Sequence, residues 1–297
     1  MSNTRLIEAY LKTDQGQVRD HNEDFISSWE PLNAEEAEKN GWLYIVADGV
    51  GGTDAGEVAS QFATERTIEA YLKSEEPNFG QRLRDAMQLA NADLRHLVAE
   101  RAKKRMATTM VAAVIHNRLV YIANVGDSRA YLYRNGEIRQ ITKDQSLVAK
   151  LVEEGVITEA EAEDHPQKNV ILSSLGSEKT AKIDLFEHAL EAGDLLLLCT
   201  DGLTRHVSDS EICQILQELP PAEATDKLVE LANLRGGQDN ISVILVRYVA
   251  HPQIWADSAV KTTGYRSFNR MALWAYTLFL AMVQTVLIFL AWLWLHG

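Results

Sequence analysis

Thiols are scarce in this chain of 297 residues: Cys199 and Cys213 are the only two, and neither has the spacing of a metal-ligand set. That usage excludes a thiolate zinc centre, argues against a structural disulfide and suits a reducing compartment. Basic side chains are in deficit as well. Lysine and arginine number 29 against 42 aspartates and glutamates, for a net charge of −13. Phosphate backbones are bound by basic faces, so no nucleic-acid partner is expected. The opening stretch "MSNTRLIEAY" carries no apolar run, so no signal peptide is expected there. Internal repeats and low-complexity tracts are absent too. What remains is the composition of a folded chain, 46% hydrophobic and 24% charged.

One long segment lacks charge altogether. "MALWAYTLFLAMVQTVLIFLAWLWL" (271–295) runs for 25 residues with a single strongly polar side chain, Gln284. As a helix it would reach roughly 37 Å, enough to cross a hydrocarbon core of about 30 Å with some tilt. Trp274 and Tyr276 sit near one end and Trp292 and Trp294 near the other, where interfacial aromatics sit. A buried core helix is the alternative, but core helices rarely stay apolar on every face for so long. Lys261, Arg266 and Arg270 precede the run, and His296 and Gly297 follow it. The positive-inside rule then leaves residues 1–270 in the cytoplasm. The expectation is a single-pass C-terminal anchor in the inner (cytoplasmic) membrane.

Three zones follow: a mixed segment 1–249, an aperiodic linker 250–270, and the transmembrane helix 271–295. Strand-like runs fill the first zone, from "LIEAYLK" and "WLYIVAD" through "TTMVAAVIH" and "RLVYIANVG" to "DLLLLCT" and "ISVILVRYV". "RAYLYR-NG-EIRQI" is a hairpin signal, because Asn135-Gly136 suits a type I′ turn. "EAGD" (191–194) is expected to join "KIDLFEHAL" and "DLLLLCT" in the same manner. Helical patterns occupy 55–73 and 81–104, then "SDSEICQILQEL" and "PAEATDKLVELANL"; Ser208 and Glu211 form a capping box for the third. Consecutive strands joined by hairpins imply antiparallel sheets, with helices on their outer faces. The fold class is α+β, a layered sandwich and not a doubly wound parallel sheet.

Acidic residues recur at the ends of the apolar strands. Glu23 and Asp24 lie in "RDHNEDF", Asp48 in "VADG", Asp127 in "NVGDSRAYL", Asp201 in "LLLLCTDGL" and Asp239 in "GGQDNISVILV". One Asp-Gly pair is an ordinary turn. Several carboxylates at strand ends, far apart in sequence, suggest one shared edge of the sheets. Clustered carboxylates repel, and a divalent cation neutralises them most economically. An all-oxygen set favours Mg²⁺ or Mn²⁺ over zinc. Gly49 leaves its carbonyl free to approach a metal. Arg19, four residues before Glu23, reads either as an ion-pair partner or as an anion binder.

These segments together, with "GEVAS" and "LVEEGVITEAEAEDHP", resemble the bacterial branch of the protein phosphatase 2C family, the metal-dependent serine/threonine phosphatases. The resemblance runs from residue 5 to about 248, with the motifs in the family's order. It implies a four-layer α/β/β/α sandwich with two Mn²⁺ or Mg²⁺ ions at one edge and a weaker third. By resemblance, Asp48 bridges both metals, Asp201 and Asp239 complete the first, and Glu23 and the Gly49 carbonyl serve the second. Asp24 resembles the acceptor for a metal-bound water, Asp127 the residue that holds the third metal with Asp201, and Arg19 the binder of substrate phosphate. Two positions depart from the pattern. Val50 stands where animal members often carry a histidine suited to protonating the leaving group. Arg205 stands where many members carry an acidic residue four after the Asp of "TDG".

Residues 144–169 resemble the family's flap, a small helical insertion beside the active site. With carboxylates sufficient as ligands, His21, His165 and His206 read as surface or supporting residues. No Cys-x5-Arg loop is present, so Cys199 reads as a core thiol. The expected activity is hydrolysis of phosphoserine and phosphothreonine in proteins by a metal-activated water. The expected partners are phosphoproteins, among them a cognate serine/threonine kinase or its substrates. The rival from another class is a catalytically silent, membrane-tethered phosphoprotein-binding module, which would have lost metal ligands that this chain retains.

Overall fold

The computed structural model describes residues 7–51, 54–100 and 106–249. The expected linker (250–270) and transmembrane helix (271–295) lie outside the described residues. Among the described residues, no helix is long and apolar enough to cross a membrane.

The chain opens with β1 (Ile7–Asp14) and β2 (Asp24–Trp29), a short α1 (Ala34–Asn40) and β3 (Trp42–Val50). Two long helices follow, α2 (Asp54–Lys73) and α3 (Phe79–Glu100). Next come β4 (Ala107–Thr108), β5 (Met110–His116), β6 (Leu119–Val125), β7 (Arg129–Arg134) and β8 (Glu137–Gln140). Two short helices, α4 (Leu147–Glu153) and α5 (Glu159–Glu163), lead to β9 (Asp184–Ala189) and β10 (Leu195–Cys199). The described part closes with α6 (Asp201–Thr204), α7 (Asp209–Glu218), α8 (Pro221–Leu234) and β11 (Ile241–Tyr248).

The strands form two sheets, ordered β1-β11-β10-β7-β8 and β2-β3-β5-β6-β9, with β4 pairing onto β3. Every paired ladder is antiparallel. The central strands read as unbroken apolar runs because both their faces are buried. Leu43, Ile45 and Ala47 of β3, with Met110, Ala112 and Val114 of β5, pack against α2 and α3. Leu195, Leu197 and Cys199 of β10, with Val243 and Leu245 of β11, pack against α7 and α8. The alternate residues, Tyr44 and Val46 on one sheet and Leu196, Leu198, Ile244 and Val246 on the other, are as fully buried. They fill the space between the sheets, where β11 lies against β2 and β3 and β10 against β3 and β5. The order is helix, sheet, sheet, helix, in four layers.

The Asn135-Gly136 hairpin forms as expected: Arg134 pairs with Glu137, and the turn residues have φ of 52° and 87°. The Ser208–Glu211 capping box also forms. The expected hairpin at "EAGD" does not. β9 belongs to the β6 edge of one sheet and β10 to the interior of the other, so 191–194 is a crossover between layers. Arg134 fastens it, donating to the Ala189 carbonyl and to the carboxylates of Glu191 and Asp194. A sheet-to-sheet corner and a hairpin need the same turn residues, so local chemistry does not tell them apart.

Candidate active site

The strand ends converge at one edge of the two sheets. Asp48, near the end of β3, lies directly opposite Asp24, the first residue of β2. Thr108 and Thr109 hold the Asp48 carbonyl, the Thr108 hydroxyl donating at 2.8 Å and the Thr109 amide at 2.9 Å. The Thr109 hydroxyl also meets that of Ser128 at 2.8 Å, which brings the Asp127 loop alongside. Glu23 is fixed through its backbone: its amide donates to Asn240 Oδ1 at 2.8 Å, and its carbonyl accepts from the Gly49 amide at 3.1 Å.

Two glycines make this approach possible. A Cβ on Gly49 would stand 2.2 Å from the Gly56 carbonyl oxygen. A Cβ on Gly56, in the first turn of α2, would stand 2.7 Å from the Glu23 carboxyl group. The glycines thus let β3, the start of α2 and Glu23 close on one another. From the other sheet, Asp201 begins α6 directly after β10. Thr200 Oγ1 donates to Asp24 Oδ2 at 2.9 Å and accepts from the Ser242 amide, so it ties the two sheets at the site. Asn240 braces the loop of residues 15–23, its side-chain nitrogen donating to the carbonyls of Gln15 and His21.

The electrostatics are those of an overcrowded anionic centre. Burial raises the Asp48 carboxyl well above its ordinary pKa, and the charges of Asp24, Asp201, Asp127 and Asp239 raise it further. Burial likewise raises Asp24, opposed by hydrogen bonds from Ser242 and Thr200. Asp127 and Asp201 rise for the same reason, each opposed by the Arg205 charge. Glu23 rises by burial and is drawn down by Arg19. Arg19 Nη2 bonds Asp239 at 2.9 Å, and Nη1 lies 3.8 Å from Glu23. Arg205 donates to Asp201 and, at 3.2 Å, to Asp239.

The expected site residues Arg19, Glu23, Asp24, Asp48, Gly49, Asp127, Asp201 and Asp239 therefore lie along this one edge of the sheets. Glu23 Oε1 and one Oδ1 each of Asp24, Asp127 and Asp201 are buried without a hydrogen-bond partner among the described residues. Such oxygens are costly unless something binds them. An oxygen-only set of this kind fits a divalent cation. Among the described residues no three acidic, histidine or cysteine side chains close on a common ligand point. Arg205, lying across Asp201 and Asp239, keeps two of them engaged.

The departures take physical form. Val50 is 38% exposed at the rim and offers no proton. His165 caps a flap turn, its Nδ1 accepting from the Gln167 amide, and His206 Nε2 accepts from the Gln238 amide. Cys199 is buried in β10, and burial pushes its thiol up to about 12, so it is an inert core group. The flap is α4 and α5, rooted at Gln145, which exchanges hydrogen bonds with Gly126 beside Asp127. Sequence reasoning missed Thr108, Thr109, Thr200, Asn240 and Gly56. Thr200, Asn240 and Gly56 each adjoin an acidic residue, a pattern too common to stand out, and Thr108 and Thr109 carry no such signal.

A family model described as Protein phosphatase 2C matches residues 20–235. A curated relative, the serine/threonine phosphatase stp of Listeria monocytogenes, is 39% identical over 248 residues, covering 81% of this chain and 95% of that protein. The crystal structure of serine/threonine phosphatase Stp1 from Staphylococcus aureus is 38% identical, with a TM-score of 0.76 over 84% of this chain and 98% of that one. The catalytic domain of the serine/threonine protein phosphatase PstP, solved with two manganese ions, is 34% identical, with a TM-score of 0.71 over 82% of this chain and 99% of that one.

Proposed function

The chain belongs to the protein phosphatase 2C family and is a metal-dependent protein serine/threonine phosphatase, and from that premise we propose that it works at the cytoplasmic face of the inner membrane, opposing a serine/threonine kinase. The observation that carries the catalytic reading is the cluster of buried, partnerless carboxylate oxygens delivered by separate strand ends. Glu23, Asp48, Asp201 and Asp239, with the Gly49 carbonyl, would hold two Mn²⁺ or Mg²⁺ ions, and Asp127 with Asp201 a weaker third. When bound, such ions supply Lewis acidity and a nucleophilic water at neutral pH.

The chain's own groups do the rest. The Arg19 side chain is 44% exposed, and its fork can turn from Asp239 to a substrate phosphate, which it binds bidentately. Asp24 presents a buried Oδ1 as acceptor for a proton of the attacking water, while Thr200 fixes its other oxygen. Val50 supplies no proton to the departing serine or threonine oxygen, so that proton comes from water. The kinase partner follows from the substrate class, since phosphoserine and phosphothreonine are made by serine/threonine kinases. The membrane site is supported by the uncharged run 271–295 and the basic residues before it.

Phosphopeptide hydrolysis in EDTA, then with Mn²⁺ or Mg²⁺ restored, tests the catalytic reading; full activity in EDTA overturns it. Asp201→Asn should lower the rate at least about 10²-fold, the scale of losing one charge-stabilising group. The tether is tested by carbonate extraction of membranes from cells expressing the chain. Recovery in the soluble fraction overturns it.

A further inference from the structure

Arg205 is a cation built into an anionic centre. It follows α6 with helical backbone angles, φ −69° and ψ −23°, one turn beyond Asp201. Residues four apart on a helix share a face, so its side chain folds back onto Asp201. Nη2 donates to Asp201 Oδ2, and Nη1 donates to Asp239 Oδ2 at 3.2 Å. The side chain is only 29% exposed. Its charge faces Asp201, Asp239, Asp127 and Asp48 together. Arg19 also reaches Asp239 but is more open to solvent, at 44%. Arg205 is therefore the more enclosed of the two cations, and it engages two of the carboxylates assigned above to metal.

We propose that Arg205 is a tethered counter-ion of the metal centre, neutralising Asp201 and Asp239 when metal is scarce and yielding their oxygens when metal binds. The inference rests on the reading of those two residues as ligands. An oxygen that accepts a charge-assisted hydrogen bond must give up that bond, or share it, to coordinate a cation. Metal affinity is lowered by the value of the contact, and the metal-poor fold is stabilised by it. The same charge lies against Asp127 and Asp201, where a third ion would sit. Arg205 thus couples occupancy of the centre to metal supply: the enzyme loads at a higher metal concentration than the same carboxylates would without it.

The test is calorimetric titration of the full-length chain with Mn²⁺, alongside thermal melting in EDTA, for wild type, Arg205→Gln and Arg205→Lys. The glutamine variant should bind Mn²⁺ at least about tenfold more tightly, the scale of one charge-assisted hydrogen bond. It should also melt at a lower temperature in EDTA. The lysine variant keeps the charge but loses the fork, and it too should bind Mn²⁺ more tightly than wild type. Equal or weaker Mn²⁺ binding by the glutamine variant overturns the proposal. A lysine variant indistinguishable from wild type overturns competition by contact and leaves only charge at a distance. Should the glutamine variant not fold, the lysine comparison decides. Absence of Mn²⁺ binding in all three proteins overturns the metal centre itself, and this inference with it.

Discussion

Asp24 and Asp48 stand directly opposite each other in the antiparallel pair of β2 and β3. Like charges in that relation destabilise a sheet, and here Asp24 is buried and Asp48 half-buried as well. At a pH where both are ionised, the pair is a cost to the fold that a bound cation relieves. Asp48→Asn should therefore raise the melting temperature in EDTA at pH 8 by about 3 °C or more, ~1 kcal/mol in a chain of this size. With Mn²⁺ present, the same variant should lose at least about 10²-fold in phosphatase rate. A variant that melts lower in EDTA would show that Asp48 has a stabilising role in the fold.

Gly56 offers a test that leaves every charge in place. Its missing side chain makes room for the Glu23 carboxyl group, 2.7 Å from where a Cβ would stand. Gly56→Ala should displace that carboxyl group and crowd the Gly49 carbonyl, 2.9 Å from the same Cβ, while alanine offsets the strain as the better helix former by about 1 kcal/mol. The expected result is an unchanged or raised melting temperature in EDTA and a requirement for more Mn²⁺ to reach half-maximal rate. An unaltered Mn²⁺ requirement would remove Glu23 and the Gly49 carbonyl from the ligand set.

Arg19 divides its fork between Asp239 and the edge of the site. If it mainly binds ground-state phosphate, Arg19→Ala should raise KM for a phosphopeptide more than it lowers kcat. A change confined to kcat would assign the guanidinium to the transition state.

Proton and metal compete for the same oxygens. A carboxyl whose pKa is higher in the folded state than the ordinary value near about 3.9 holds its extra proton in the fold. Asp24, Asp48, Asp127 and Asp201 all shift that way. Their destabilisation of the metal-free protein is absent below the unfolded value, grows as pH rises from there toward the folded one, and is complete above it. Metal must displace those protons, so the rise in melting temperature caused by Mn²⁺ should shrink steadily from pH 8 to pH 5.5. Comparing melts with and without Mn²⁺ at each pH cancels the half-buried histidines His116 and His188, which lie away from the site and whose shifts are common to both. A Mn²⁺ effect independent of pH would rule out ligation by these carboxylates.

The sequence made the site legible because its chemistry needs acidic residues at strand ends, where apolar runs make a charge conspicuous. Asp48 after "WLYIV" and Asp201 after "LLLLC" stand out for that reason. The long strands and helices were legible from periodicity, and the Asn135-Gly136 hairpin from turn chemistry. β2 was not: "DFISSW" is short, half polar and partly exposed, so nothing in its pattern marks it as the partner of β3. The 191–194 crossover was misread because the choice between hairpin and corner is made by distant strands: β6 claims β9 while β7 and β11 claim β10. The grip of Arg205 on Asp201 and Asp239 depends on the spatial approach of two loops, which the i,i+4 spacing alone reveals only for Asp201.

The loop that carries Arg19 and Glu23 is clasped to residues 236–240. The Gln17 amide donates to the Gly237 carbonyl, Gly16 lies against the Asp239 carbonyl, and Asn240 holds three backbone groups of residues 15–23. Among the described residues, β1 in turn has β11 as its only neighbour in the sheet. On the ribosome, the first strand emerges more than 200 residues before the strand that seats it. A chain cut short before residue 239 has neither Asp239 nor Asn240, the brace on Glu23. Such a fragment lacks one proposed ligand and the support of another, and it should show no phosphatase activity.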